Sequence, residues 1–430
     1  MKGDLKMAKK IKAIVIGVNL KNQENDFEYL MEELKGLATA CNIEVVGEII
    51  QNLNYINNPH YLGTGKISQL GELIDYKDAN LVIANDELSP SQIRVLEDRL
   101  DVRVVDRTML ILDIFAQRAK TREAKLQVEV ARLQYMLPRL VGQRKYDRQG
   151  GGAGLINRGA GETSLELSRR RIEDKIVGLG KELEVLASQR KIQRNRRKKS
   201  GIPVVSLVGY TNAGKSTLLN AMVEMYNSSL DKQVFEKDML FATLETSVRK
   251  INLPDNKLFL LTDTVGFVNR LPHHLVKAFR STLEEVAEAD LIIHVVDYSD
   301  PKYQKSVDIT NKTLEEIGVE NTPIIYAFNK GDLTDTIIPH LGEDRVYLSA
   351  KKRTGINELI QLISEYIFKD YTQCEMLIPY GQEQLVSYFH ENANVLATSY
   401  EEEGTKLNLE CKESDYEKYQ PYVISNKIFT

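Results

Sequence analysis

The chain has 430 residues, 27% of them charged and 42% hydrophobic. It is too long for one ordinary domain, with a length prior of roughly three, and its composition excludes wholesale disorder. The formal net charge of −4, from 57 Lys+Arg against 61 Asp+Glu, argues, taken alone, against a nucleic-acid partner. Three scattered cysteines (Cys41, Cys374, Cys411) exclude a disulfide framework or a zinc knuckle. The basic N-terminus Met1–Lys10 is not followed by a signal-peptide core, and no apolar run approaches the ~20 residues of a transmembrane helix. The expectation is a cytoplasmic protein with at most peripheral membrane association.

Residues 1–105 alternate strand-like and helix-like runs and read as a small parallel α/β domain. The strands are Ala13–Val18, Ile43–Ile50, Leu81–Ala84 and Val102–Val105, with a helix over Phe27–Ala40. Ser89 before Pro90 reads as an N-cap with proline at the first helical position. Gly63-Thr64-Gly65-Lys66 opens another helix, where a Gly-rich turn can offer N–H groups to phosphate, although a four-residue match is weak and an ordinary turn is the favoured reading.

Residues 106–200 change character. Leu126, Val130, Leu133, Leu137 and Leu140 are spaced by alternating fours and threes, and so are Ile172, Ile176, Leu179, Leu183 and Leu186. Such seams predict two long helices, 107–138 and 162–198, packed as an antiparallel hairpin. The connection, 141–161, carries seven glycines together with Arg144, Lys145, Arg148 and Arg158. A Gly-rich basic tip on a helical arm suits RNA: the backbone can approach closely and guanidinium groups pair with phosphates. Arg169 and Arg170 continue the basic surface, and seven cations between Arg190 and Lys199 exceed what a helix C-terminus needs. Ser200-Gly201-Ile202-Pro203 marks a domain boundary.

Residues 201–370 carry a nucleotide site. The apolar strand Val204–Val208 runs into Gly209-Tyr210-Thr211-Asn212-Ala213-Gly214-Lys215-Ser216, and a helix starts at Thr217. This is a P-loop in its strand–loop–helix context. Its N–H groups wrap phosphates, Lys215 neutralises the β/γ-phosphates and the Ser216 hydroxyl reaches Mg²⁺. Strand Lys257–Leu261 leads to Asp263-Thr264-Val265-Gly266, placing Asp263 at the Mg²⁺ shell and the Gly266 N–H at the γ-phosphate. Strand Ile324–Phe328 leads to Asn329-Lys330-Gly331-Asp332. A carboxylate at Asp332 accepts from guanine N1–H and the 2-amino group, which adenine lacks; the Lys330 stem covers the base. Ser349-Ala350-Lys351 presents N–H groups to the guanine oxygen.

In this order the motifs resemble those of the translation-factor-like GTPases. Phe241-Ala242-Thr243-Leu244 fits their first switch, with Thr243 completing the Mg²⁺ shell beside Ser216 and Asp263. Lys215, Thr243 and Gly266 are the expected catalytic groups. Phe267 stands where many GTPases have a water-orienting Gln, so intrinsic hydrolysis should be slow until a partner supplies what is missing. Asn212 resembles a residue by which some GTPases bind K⁺.

The stretches Asp106-Arg107-Thr108, Ile114–Ala119, Thr121–Glu129, Leu137-Pro138-Arg139-Leu140 and the Gly-rich segment through Arg169-Arg170-Arg171 closely resemble the HflX family. The resemblance spans most of the chain. It implies a monomeric, ribosome-associated GTPase that binds the large (50S) subunit and its rRNA, and in several members splits intact ribosomes under stress or in hibernation, with no DNA partner. It also implies ATP-linked activity in the N-terminal domain, which would involve Gly63–Lys66. Ala160 and Ser168 depart from a proline and a carboxylate usual there. Residues 371–430, with four Lys and ten Asp+Glu, read as a small acidic α/β domain with a helix over Glu383–His390 and two strands around Glu401–Gly404. Two rival functions follow from the same residues: a steric anti-association factor for which hydrolysis only resets the cycle, and an ATP-linked rRNA remodeller. Residues 118–199 hold 22 Lys+Arg against 9 Asp+Glu, a local +13 that leaves −17 for the remainder.

Overall fold

The structure is a computed structural model. It describes residues 11–21, 27–55, 59–142, 158–199, 201–227, 247–264, 266–269, 285–319 and 321–426; the side chains of 140–142, 158–165, 191, 193–199 and 426 are outside that description. The described residues divide into two compact units, one built on 11–192 with 268–269 and the other on 193–227, 247–267 and 285–426.

The first unit opens with a four-stranded, wholly parallel sheet. Its strands are β1 (Lys12–Leu20), β2 (Glu44–Leu53), β3 (Leu81–Ala84) and β4 (Arg103–Asp106), in the order β2-β1-β3-β4. The connections are α1 (Phe27–Ala40), α2 (Thr64–Lys77) and α3 (Pro90–Leu100). Central β1 is buried on both faces, as a doubly wound sheet requires. Ile14, Ile16 and Val18 pack with Ile67, Leu70 and Leu96 from α2 and α3. The expected strands and α1 fall where the alternation put them, and Ser89 forms a full capping box with Gln92.

The helix expected over 107–138 is two helices. Asp106 caps α4 (Arg107–Arg118), accepting from the Met109 N–H at 2.9 Å, and Thr121 caps α5 (Arg122–Met136), accepting from the Ala124 N–H at 3.2 Å. The break falls at Ala119-Lys120, where the Thr121 hydroxyl offered to the next turn makes a new helix start. Helix α4 is buried along most of its length and packs on α1, so it belongs to the N-terminal core and not to the arm.

Helix α6 (Arg158–Lys199) has 42 residues, about 63 Å of axis. Arg158–Gly161, expected within the tip loop, already form the first turn of α6, where glycine costs less than in an interior; residues 143–157 of that loop lie outside the described residues. Helices α5 and α6 run antiparallel, as expected. Glu129 pairs with Lys175 at 2.6 Å, Arg122 with Glu182 at 2.6 Å and Glu123 with Arg190 at 2.5 Å. Ile172, Ile176, Leu179, Leu183 and Leu186 are the half-buried stripe of α6, while Leu167, Val177 and Val185 are exposed. The root of the arm is fixed by Asp106. Wholly buried, it also accepts from the Leu88 N–H at 3.0 Å, the Tyr135 hydroxyl and the Arg139 guanidinium, 3.4 Å away. Next to it, Arg107 and Glu33 form a buried ion pair.

The second unit holds a seven-stranded sheet of β5 (Val204–Val208), β6 (Ser247–Asn252), β7 (Leu258–Asp263), β8 (Leu291–Asp297), β9 (Ile324–Asn329), β10 (His340–Leu341) and β11 (Arg345–Tyr347). The order is β10-β11-β9-β8-β5-β7-β6, and only the two edge strands are antiparallel to their neighbours. With it go α7 (Lys215–Tyr226), α8 (Tyr303–Glu316) and α9 (Ile356–Ile367), and Val205, Leu207, Leu219, Phe259, Ile293, Ile325 and Leu359 are part of one core. The chain ends in an antiparallel sheet, β13-β14-β12-β15, built from β12 (Tyr371–Ile378), β13 (Asn394–Glu401), β14 (Gly404–Lys412) and β15 (Val423–Asn426). Helices α10 (Glu383–Asn392) and α11 (Glu413–Lys418) complete it. Lys257 beside β7 reaches both oxygens of Glu410 at 2.8 Å, tying this sheet to the larger one. No helix among the described residues is long and apolar enough to cross a membrane.

Candidate nucleotide site

Four loops leave the C-terminal ends of parallel strands, where an open α/β sheet binds ligands. The first leaves β5. Gly209 has φ 145°, and a Cβ there would lie 2.2 Å from the Val295 carbonyl oxygen, so no side chain fits. Asn212 and Gly214 also take positive φ, 63° and 92°, curling the loop before α7 starts at Lys215. The Lys215 ammonium is buried and donates to the carbonyls of Gly209 (3.1 Å) and Tyr210 (2.8 Å). Burial pushes it down to about 8, opposed by the charge of Asp263.

The Ser216 hydroxyl donates to Asp263 Oδ2 at 2.7 Å. Asp263 ends β7 and is fully buried; Thr264 beside it donates to the Leu207 carbonyl at 2.7 Å. Gly266 lies so close to the P-loop that a Cβ would be 2.9 Å from Thr211 Cα and 3.0 Å from Lys215 Nζ. Phe267 then bridges back: its N–H donates to the Gly209 carbonyl (3.1 Å) and its carbonyl accepts from Thr211 N–H (2.8 Å). Its ring is buried.

Asn329 joins the remaining loops to the first. Its amide donates to the Ala213 carbonyl at 2.9 Å and accepts from the Ala350 N–H at 2.9 Å, so one buried side chain fastens the P-loop, the Asn329–Asp332 turn and the Ser349–Lys351 turn together. The Ser349 hydroxyl hydrogen-bonds Asp332 and is the main cause holding that carboxyl below its usual range, with Lys352 3.7 Å away. A charged, pre-oriented acceptor is what guanine N1–H and its 2-amino group need. Lys330, at φ 63°, extends to Asp297 Oδ2 at 2.7 Å.

The structure thus brings together Gly209, Tyr210, Thr211, Asn212, Ala213, Gly214, Lys215, Ser216, Thr217, Asp263, Thr264, Gly266, Asn329, Lys330, Asp332, Ser349, Ala350 and Lys351. Phe241, Ala242, Thr243 and Val265 lie outside the described residues, as do Arg144, Lys145 and Arg148 and the side chain of Arg158. Arg169 and Arg170 are exposed on α6, Arg169 pairing with Glu173 at 2.8 Å. At Gly63–Lys66 the first turn of α2 is present, but the Gly63 N–H is already taken by Gln51 at 2.8 Å. Asp297 escaped the sequence reading: one carboxylate after a strand carries no motif, and its partner Lys330 is 33 residues away.

Three family descriptions match consecutive parts of the chain: "GTP-binding GTPase N-terminal" over 28–116, "GTP-binding GTPase Middle Region" over 118–197 and "50S ribosome-binding GTPase" over 204–330. GTPase HflX of Caldanaerobacter subterraneus is 44% identical over 93% of this chain and 91% of its own length. GTPase HflX of Escherichia coli is 39% identical over 89% of each. The chain belongs to the HflX family of GTPases. As an HflX family member it binds GTP and GDP and hydrolyses GTP, and its nucleotide domain is of a 50S ribosome-binding family. Among solved structures, a GTP-binding protein of Sulfolobus solfataricus in complex with GDP is similar at 25% identity over 84% of this chain and 99% of that one, with a TM-score of 0.44.

Proposed function

We propose that this HflX family GTPase is a cytoplasmic, GTP-gated factor that docks its basic helical arm on large-subunit rRNA and parts intact ribosomes. The observation that carries the reading is the joint presence of a nucleotide site wired through Asn329 and, in the same chain, an arm of local charge +13. Nucleotide-dependent contacts supply the differential affinity that such a cycle needs.

In the nucleotide-bound protein, P-loop N–H groups surround the phosphates and Lys215 compensates their charge. The donor set fits Mg²⁺: the Ser216 hydroxyl and Asp263 carboxylate are hard oxygen ligands at one spot, and that ion retains several waters. An ion held by Ser216 and Asp263 would supply neutralisation of phosphate charge. Thr243 would complete its shell. Gly266 senses the γ-phosphate through its N–H, being close enough to the P-loop that only glycine fits. Asp332 reads the guanine edge and Lys330 covers its face. Phe267 has no group to orient water, so hydrolysis by the free protein is slow and the ribosome accelerates it; Asn212 adds a K⁺ ligand, tested by comparing rates in K⁺ and Na⁺.

The test is sedimentation of ribosomes with the protein and GTP, GDP or a non-hydrolysable GTP analogue. Comigration with the large subunit and loss of intact ribosomes with GTP are expected. If the analogue supports a full round, binding parts the subunits and hydrolysis only resets the factor. Equal binding in all three nucleotide states refutes gating.

A further inference from the structure

Asp297 ends β8 directly opposite Asn329 in the parallel β8–β9 pair. Lys330 follows Asn329 in the left-handed region, which side-chain-bearing residues rarely adopt. Its backbone is held on both sides: the Tyr298 N–H donates to the Asn329 carbonyl at 2.9 Å and the Gly331 N–H to the Leu348 carbonyl at 3.0 Å. From this fixed point the ammonium reaches Asp297 Oδ2 at 2.7 Å. The other oxygen, Oδ1, accepts from the Ser299 N–H at 3.1 Å and the Ser299 hydroxyl at 2.6 Å. The carboxylate is therefore oriented independently of the lysine and without nucleotide.

We propose that Asp297 is a positioning residue for guanine-nucleotide binding: it anchors the Lys330 ammonium so that the aliphatic stem is already laid out where the base will stack. The inference rests on the reading that Lys330 covers the guanine. An exposed ion pair by itself contributes little, and these side chains are 24% and 27% exposed. The gain here is of another kind. A four-carbon stem samples many rotamers, and freezing it at the moment of binding opposes association. Anchoring at the far end removes that entropy before the nucleotide arrives. Because the backbone of Lys330 is pinned and its tip is pinned, the stem between them is constrained at both ends.

The experiment uses the full chain with D297A, D297N, K330A and the D297A/K330A double variant. Dissociation constants are measured for GDP and for inosine diphosphate, which lacks the 2-amino group and so separates face contacts from edge contacts. In D297A the Kd for GDP should rise about three- to tenfold, and that for inosine diphosphate by the same factor, with the kinetic effect on KM and not kcat. D297N keeps an acceptor without the charge and should fall between. In the K330A background, D297A should add nothing. An unchanged Kd in D297A, or additive effects of D297A and K330A, overturns the proposal. If K330A alone leaves GDP affinity unchanged, Lys330 does not cover the base, and the underlying reading fails along with this one.

Discussion

Burial brings the Lys215 ammonium down to about 8 from 10.5, and Asp263 only partly opposes it. The sign of the linkage follows. Between about pH 8 and 10.5 the unfolded chain still holds a proton that the nucleotide-free fold has released, so this group's contribution to stability grows as pH rises through that window. Phosphate oxygens placed beside the ammonium, as proposed, would reverse the shift. Nucleotide binding should therefore take up close to one proton at about pH 9 and very little at about pH 7, and affinity should weaken as pH climbs past 8. Calorimetry in buffers of different ionisation enthalpy reads this directly; no uptake at the higher pH would refute a depressed lysine. His294, in β8, does not add to the profile: burial first, then Lys215, pushes it down to about 3, so it is neutral throughout this range. At this scale the site was largely legible in the sequence, since each loop's groups are contiguous and follow an apolar strand. Asp297 was not, because its role exists only once β8 and β9 lie side by side.

Among the elements, the Asp106 carboxylate, besides accepting from the Leu88 N–H and the Tyr135 hydroxyl, has two roles that substitution would separate from nucleotide chemistry. It caps α4 and it compensates the Arg139 guanidinium, which also lies 3.4 Å from the Tyr135 ring. Asp106→Ala removes the cap and leaves partly buried Arg139 without that charge, a loss of about 3 kcal/mol in the first unit. Thr121→Ala removes only the cap of α5 and should cost about 1 kcal/mol. Denaturant unfolding of both variants should rank them in that order. Equal losses would mean that Asp106 acts as a cap and nothing more. The element pattern also shows where sequence reading stopped. Central strands such as β3 and β5 are continuous apolar runs and fell on their expected residues. Edge strands β6 and β10 were missed: β6 carries Arg249, Lys250 and Asn252, and β10 has two residues, so neither has a periodic signal. The α4–α5 break was missed because the stretch between Phe115 and Leu126 has only alanines as apolar residues, so no seam marked either helix end there.

For the whole molecule, the near-neutral total of −4 conceals an arm of +13 and a remainder of −17. If the arm meets rRNA phosphates, log affinity for large subunits should fall linearly with log salt. Replacing Arg169 and Arg170 by alanine should flatten the slope by ~1.4, at about 0.7 for each phosphate no longer neutralised, while GTP affinity stays unchanged. A slope that does not move would place the RNA-binding surface elsewhere on the arm. Of the two compact units, the second holds both the core of the seven-stranded sheet and that of the C-terminal sheet. That could not be read from the chain, since cohesion between cores depends on pairs such as Lys257–Glu410, 153 residues apart.

The Asn329 amide has one more consequence. Because this side chain bonds both the P-loop and the Ser349–Lys351 turn, a partner whose binding displaced Asn329 would loosen both loops, and the nucleotide would weaken that partner's binding by the same factor as the partner weakens the nucleotide's. Nucleotide exchange would then be reachable from either of two loops, through one side chain.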